Sequence, residues 1–168
     1  MHGTTGWPVS NSSSMRPHDL SVYEKRGDGH YRGMIGYRMP VLRTSAGRAY
    51  LAFISDEERR LVVEHIRRLA VPEDLSFLEA IDMSDFLADI RAKGYATREA
   101  GEFRPSTSSI AVPVMPGGVM TACISIIWIR SALSIKEATA RYVEPLMEIA
   151  ERLAAAVETE QRVPFSTG

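Results

Sequence analysis

The chain is expected to fold as an α+β domain, a twisted antiparallel sheet with helices packed against it and a long C-terminal helix. Three observations predict this. Segments of period two flank tight-turn residues at two places, Gly27-Asp28-Gly29 and Pro116-Gly117-Gly118. Between them lie helical patterns with their own start and stop signals. After the second hairpin, a long pattern of apolar residues at i, i+3 and i+4 runs from Ser134 to about Glu160.

Taken in order, residues 1–20 are rich in Gly, Ser, Thr and Pro and read as a lead-in, with Trp7 and Val9 suggesting an edge strand. Leu20–Arg26 and Tyr31–Ile35 form the first predicted hairpin. Three helices are predicted next. The first spans Ser45–Ile54. Ser55 with Glu58 reads as a capping box for the second, which ends near Leu69 with Leu61, Val62, Ile66 and Leu69 inward, and Pro72 breaks it. Asp82 or Ser84 caps the third, Asp85–Lys93, with Phe86, Leu87 and Ile90 on one face and Gly94 as its stop.

The period then returns to two. Tyr95–Glu102, Ser109–Met115 and Val119–Arg130 are predicted strands. In the longest, Thr121, Cys123, Ser125, Ile127 and Ile129 share one face, while Ala122, Ile124, Ile126 and Trp128 share the other. Both faces are largely apolar, so this strand is expected to be central and covered on both sides. Ser134 and Glu137 make another capping box for the last helix, with Ile135, Ala138, Tyr142, Leu146, Ile149, Leu153 and Val157 inward. Pro145 lies inside that pattern and predicts a kink or a restart.

Composition narrows the function classes. With 168 residues, 45% hydrophobic and 24% charged, the chain has enough apolar material for one sizeable core. A formal net charge of -1 leaves no basic footprint for nucleic acid. No apolar run approaches the roughly 20 residues of a membrane span, and no secretory h-region follows Met1. Cys123 is the one cysteine, so no internal disulfide forms, and the four histidines show no metal-ligand spacing. A cytoplasmic protein without metal or cofactor is the expectation.

Catalytic patterns are missing. There is no nucleophile elbow, no dinucleotide fingerprint and no phosphate-binding loop. His2, His18, His30 and His65 lie among turn residues or charges and read as surface groups, and Cys123 in its apolar strand reads as a buried thiol. Two stretches suggest binding instead. In Pro40–Phe53 the small residues Thr44, Ser45, Ala46 and Gly47 open a helix, whose first amides and positive dipole end favour an anion such as a carboxylate. The same residues equally suit an ordinary N-cap on a core helix. Arg43 stands one residue before the cap, where it faces either an anion or solvent. The second stretch, Arg98–Ser109, is a polar loop between strands whose guanidinium and hydroxyl groups can meet a ligand, or simply serve turn chemistry. Ser45, Ala46, Arg98, Ser109 and Ser125, walled by Ile127 and with Cys123 on the same strand face, sketch a pocket for a small organic acid with no nucleophile–base pair.

In order and spacing, Pro40-x-x-x-Thr-Ser-Ala-Gly-Arg-Ala-Tyr-Leu-Ala, Lys93-Gly-Tyr95-Ala with Gly101-Glu102, Ser109-Ile-Ala-Val-Pro-Val114, Ala122-Cys-Ile-Ser125 and the capped last helix together resemble the effector-binding domain of IclR-type bacterial transcription regulators. The likeness covers about Trp7 to Val157. It implies a GAF- or profilin-like sensor fold that binds small carboxylic or aromatic acids and assembles into homodimers or tetramers. It also implies ligand contacts at Ser45 and Ala46, at Arg98 or Glu99, at Ser109, and at Ser125 with Ile127. Some members carry Cys where Ser109 stands and Ser where Ile127 stands, departures that suit a more apolar or aromatic effector. Arg43 and Trp128-Ile-Arg130-Ser are similar to the branch that responds to aromatic acids such as hydroxyphenylpropionate.

The resemblance divides the chain into a disordered lead-in at 1–6, a sensor domain at 7–160 and a flexible tail at 161–168. Regulators of this type reach DNA through an N-terminal winged helix, and nothing before Leu20 is long or basic enough to be one. The chain therefore reads as a fragment of a regulator, able to bind operator DNA only through a domain outside it. Two other classes stay open: a small enzyme acting on organic acids with Cys123 or Ser125 as nucleophile, and an oligomerisation module whose cavity is filled by side chains.

Overall fold

In the computed structural model, residues 23–25, 31–33, 39–99 and 102–161 are described. The chain divides into two units, Met1–Met39 and Pro40–Gly168. In the first, β1 (Tyr23–Lys25) and β2 (Tyr31–Gly33) pair antiparallel, with Glu24 opposite Arg32. This is the hairpin that the Gly27-Asp28-Gly29 turn predicts. The proposed strand at Trp7 and Val9, the ends of the chain, and His2, His18 and His30 lie outside the described residues.

The second unit begins with α1 (Ser45–Phe53), followed by α2 (Asp56–Leu69), α3 (Pro72–Ala80) and α4 (Met83–Lys93). Four helices stand where the sequence pattern suggests three. Pro72 is the reason: it does not merely end α2 but occupies the first turn of α3, where its missing N–H costs nothing and its fixed φ suits a helix. α2 ends at Leu69 as expected, closed by Ala70 in the left-handed conformation at φ 52° without a glycine. The predicted caps at Ser55 and Asp82 accept from Glu58 N and from Ser84 N and Asp85 N, and Gly94 closes α4 at φ 78°.

The strands β3 (Ala96–Arg98), β4 (Thr107–Val114) and β5 (Ala122–Ile129) form an antiparallel sheet in the order β3-β4-β5. A short 3₁₀ turn at Pro116–Gly118 links β4 to β5, and Gly117 N donates to Glu158 at 2.5 Å. Among the described residues, β4 is the strand with a neighbour on each side. On one side Ala96 and Ala111 pack with Ala49, Leu51 and Ala52 of α1, Val62 and Ile66 of α2, and Leu87 and Ile90 of α4. On the other, Ile110, Val112 and Val114 pack against Ala138, Leu146 and Ala150 of α5 (Ile135–Gln161). Burial of both faces of β4 explains its near-continuous apolar run. β5 has the same kind of sequence, yet Ile127 is 41% and Ile129 61% exposed. Alternation alone does not tell a central strand from one at an edge.

α5 runs through Pro145 without a restart, and Ser134 and Glu137 form the reciprocal box at its start. Its inward face is narrower than the pattern suggests, since Ile149 and Leu153 are exposed. The same is true of Leu61 and Leu69 on α2. The C-terminal end of α1 has no glycine stop. Its last carbonyls are met by arginines: Arg59 Nε donates to Leu51 O at 2.6 Å, Arg59 Nη2 to Ile54 O at 2.6 Å, and Arg91 Nε to Ala52 O at 2.5 Å.

Candidate functional site

The start of α1 lies over one face of the sheet, and its position depends on Gly47. Thr44 is the N-cap, accepting from Gly47 N at 3.2 Å, and the backbone ladder opens with Arg48 N on Thr44 O at 3.0 Å. Among the described residues the amides of Ser45 and Ala46 have no acceptor. A side chain at Gly47 would bring Cβ to 2.1 Å from Val41 O and 2.6 Å from its Cα. The absence of that carbon lets residues 41–47 fold back tightly enough to set the helix start against β4.

Sheet register gathers the predicted site residues under it. Arg98, Ser109 and Ile127 form one cross-strand row, and Ala96, Ala111 and Ser125 the next. Ser45 Oγ donates to Ser109 Oγ at 2.8 Å, and Arg98 Nε donates to the same oxygen at 3.2 Å. All three residues are buried, at 2% for Ser45 and 3% for each of the others. Ile127 and Ser125 are exposed on the same side, so a polar, buried knot is bordered by an open apolar strand.

Cys123, a further row along, donates its thiol to Ala46 O at 3.4 Å, fastening β5 to the first turn of α1. Burial pushes this thiol up to about 12. The thiolate is the reactive form, so at pH 8 the folded chain is expected to react with a disulfide reagent on the order of a thousandfold more slowly than free cysteine. Stopped-flow or spectrophotometric labelling checks this; a rate near that of free cysteine would refute it.

Arg98 is also the hub of the loop that follows it. Nη1 donates to Thr107 O at 2.7 Å, and to Glu99 O and Arg104 O at 3.3 and 3.4 Å, while Nη2 donates to Thr107 Oγ1 at 3.0 Å. Burial lowers its pKa, with Arg48 and Arg104 acting in the same direction and Glu102 against them.

Arg43 is turned elsewhere. Its Nε donates to Asp74 Oδ1 of α3 at 2.6 Å, and Nη1 to Glu102 O at 3.4 Å. Arg48, absent from the sequence-derived set, is the more deeply placed cation, at 5% exposure. It donates to Leu42 O at 2.8 Å, Thr97 O at 2.7 Å and Glu102 Oε1 at 2.7 Å, with its guanidinium 4.9 Å from the Phe77 ring centre and 5.6 Å from that of Phe86. Glu102 Oε2 in turn accepts from Glu99 N at 3.0 Å. The signal for Arg48 was available: a lone charge inside the apolar run of α1, with no carboxylate one turn away.

A groove of about 260 Å³ lies at the far end of β4, lined by Phe53, Val112, Pro113, Met115, Met147 and Ala154. Its walls are mostly apolar, with the Glu151 carboxylate among them, and neither Ser45 nor Ser109 lines it. Among the described residues no group of His, Cys, Asp and Glu is arranged to hold a metal, and no helix is long and apolar enough to cross a membrane.

Comparison with known proteins places the fold. Residues 23–155 match the family model described as bacterial transcriptional regulator IclR C-terminal. Among solved structures, a transcriptional regulator, RHA06195 from Rhodococcus sp. RHA1, is similar at 20% identity and a TM-score of 0.62, over 88% of this chain and 61% of that one. An IclR-family regulator from Brucella abortus is similar at 25% identity and a TM-score of 0.60, over 74% of this chain and 47% of that one. The inducer-binding domain of PobR from Acinetobacter, a double mutant in complex with 3-hydroxybenzoic acid, shares the fold at 21% identity and a TM-score of 0.52, over 74% of this chain and 68% of that one. The chain thus spans about half to three-fifths of the length of the two full regulators. The chain belongs to the IclR family of bacterial transcriptional regulators, and it corresponds to their C-terminal, effector-binding domain.

Proposed function

We propose that this domain senses a small carboxylic acid, held where the start of α1 meets the row Arg98–Ser109–Ile127. The observation that carries the reading is the buried Ser45–Ser109–Arg98 knot beside two helix-start amides that have no acceptor among the described residues, within a domain of a regulator family. The amides of Ser45 and Ala46 and the α1 dipole favour a carboxylate. Ser109 and Ser125 supply hydroxyls, Ile127 an apolar wall, and Cys123 holds the helix start in register. Arg98 acts from beneath the site, and Arg43, turned to Asp74 and the Glu102 carbonyl, steadies the neighbouring loop.

An aromatic acid is the favoured class, because Ile127 gives the wall an apolar surface and the PobR domain of the same fold carries 3-hydroxybenzoic acid. In the complete regulator, occupancy biases the arrangement of identical subunits and thereby a DNA-binding segment outside this chain; the acid must bind one arrangement better than the other to do so. The setting is cytoplasmic. The domain acts by binding and not by catalysis: Cys123, raised by burial, donates to a carbonyl and has no base beside it among the described residues.

Calorimetry with benzoate, 3-phenylpropionate, propionate and hexanoate tests the reading. At least one acid is expected to bind, and Ser45→Trp, which sets a bulky ring at the helix start, is expected to weaken it by at least about a hundredfold. Absence of binding by all four, or binding indifferent to Ser45→Trp, would show that the site is elsewhere.

A further inference from the structure

Beyond Ala111, β4 outruns its neighbour. β3 begins at Ala96, opposite Ala111, so among the described residues Val112, Pro113 and Val114 have no strand on that side. Register fixes what this open edge presents. Arg130 N donates to Ser106 O, in step with the ladder, so even-numbered residues of β4 turn their backbone polar groups to β5 and odd-numbered ones to β3. Pro113 is odd-numbered. Its missing N–H falls on the open side, where no ladder bond is lost, and its carbonyl faces the same way. Gly94 stands opposite Pro113 in register, but its N–H is given to Ile90 O at the end of α4.

This edge is one wall of the groove of about 260 Å³. Phe53 at the exit of α1, Met115 and Met147 supply apolar surface, and Glu151 of α5 stands among them. Among the described residues Glu151 has neither a hydrogen bond nor an ion pair. The helix around it is acidic: from Glu144 to Glu160, Glu148, Glu151 and Glu158 join the two end residues, set against the single cation Arg152. The polar groups of the groove are therefore acceptors, a carboxylate and a carbonyl, in an apolar wall. A ligand that fits has an apolar body and a polar end that donates. A primary ammonium carries three donors and no acceptor, whereas a carboxylate would meet Glu151 with like charge. A cavity of about 150 Å³ holds benzene, so this groove has room for one ring and a short arm.

We propose that the groove is a second ligand site, which takes a small apolar amine in its ammonium form. The ring lies along Phe53, Met115 and Met147, whose sulfurs suit an aromatic edge, and the ammonium pairs with Glu151, with the Pro113 carbonyl as a further acceptor. Neither Ser45 nor Ser109 lines this groove, so the site goes beyond the acid-sensing reading and does not depend on it.

Titration of the full chain with 2-phenylethylamine tests the proposal, read by calorimetry and by the NMR signals of isotope-labelled methionine methyl groups. Binding in the millimolar range or tighter is expected, with shifts at Met115 and Met147 and none at Met83, which packs with the α1 side of the core. The neutral isostere 2-phenylethanol is expected to bind about fivefold more weakly, the scale of one solvent-facing ion pair. Glu151→Gln is expected to remove that difference, and Ala154→Phe, which fills the groove, to weaken amine and alcohol together by at least about tenfold. Ser45→Trp is expected to leave both unchanged. Absence of amine binding, shifts that bypass Met115 and Met147, or an amine preference that survives Glu151→Gln overturns the inference. If Ala154→Phe does not fold, the methionine shifts and Glu151→Gln decide alone. Failure of every acid to bind would sink the acid-sensing reading and leave this one standing.

Discussion

Gly47→Ala is expected to destabilise the domain by about 3 kcal/mol or more, although alanine is a better helix former than glycine by about 1 kcal/mol. The sign is decided by what the new methyl group meets. At 2.1 Å from Val41 O and 2.7 Å from Val41 C it collides with main chain, which cannot turn aside as a flexible side chain does. Relief requires moving the Pro40–Thr44 turn away from α1, which breaks the Thr44 cap and shifts Ser45 from Ser109. For a domain of this size the midpoint of thermal unfolding should fall by about 10 °C. Circular dichroism on heating measures it, and an unchanged or raised midpoint would disprove the packing described. Ligand affinity should fall in the same variant, since the donors of the helix start are displaced together.

Arg48→Met is expected to cost about 3–5 kcal/mol, measured by urea unfolding. The substitution keeps the stem on Phe77 and Phe86 but leaves Leu42 O and Thr97 O without their donor and Glu102 without its cation. Arg48→Lys separates fork from charge: an ammonium can serve Glu102 or one carbonyl but not all three acceptors, so about 2 kcal/mol should be lost. A lysine variant as stable as the native chain would show that charge alone is what the position needs.

Much of the fold is legible in the sequence because its signals are local. Thr44, Ser55, Asp82 and Ser134 cap helices through their own side chains, and Gly94 stops one through its own φ. The failures come where meaning depends on neighbours distant in sequence. Pro72 ends one helix and begins another, a distinction that needs the surroundings of its missing N–H. The alternation in β5 is the same whether a strand has one neighbour or two, and it is β4 that lies between two others among the described residues.

The candidate site shows the same division. Ser45, Ser109, Arg98 and Ile127 are nominated by residue type and motif order, and antiparallel register then brings three of them into one row. Which of them form the buried knot is invisible in one dimension. Arg43 and Arg48 look alike on the page, one on each side of the small residues. Arg43 stands in the turn before the Thr44 cap and pairs with Asp74 on α3, whereas Arg48, inside the helix, pairs with the Glu102 carboxylate.

The arginines at the far end of α1 bear on how that helix can move. Arg59 belongs to α2 and Arg91 to α4, and between them they grip Leu51, Ala52 and Ile54 at the exit of α1. A rod clamped at one end does not slide along its axis; it pivots. A displacement of the helix start at Ser45 is therefore expected to turn about the held end near Ala52, with the strain falling on the two helices that supply the clamp.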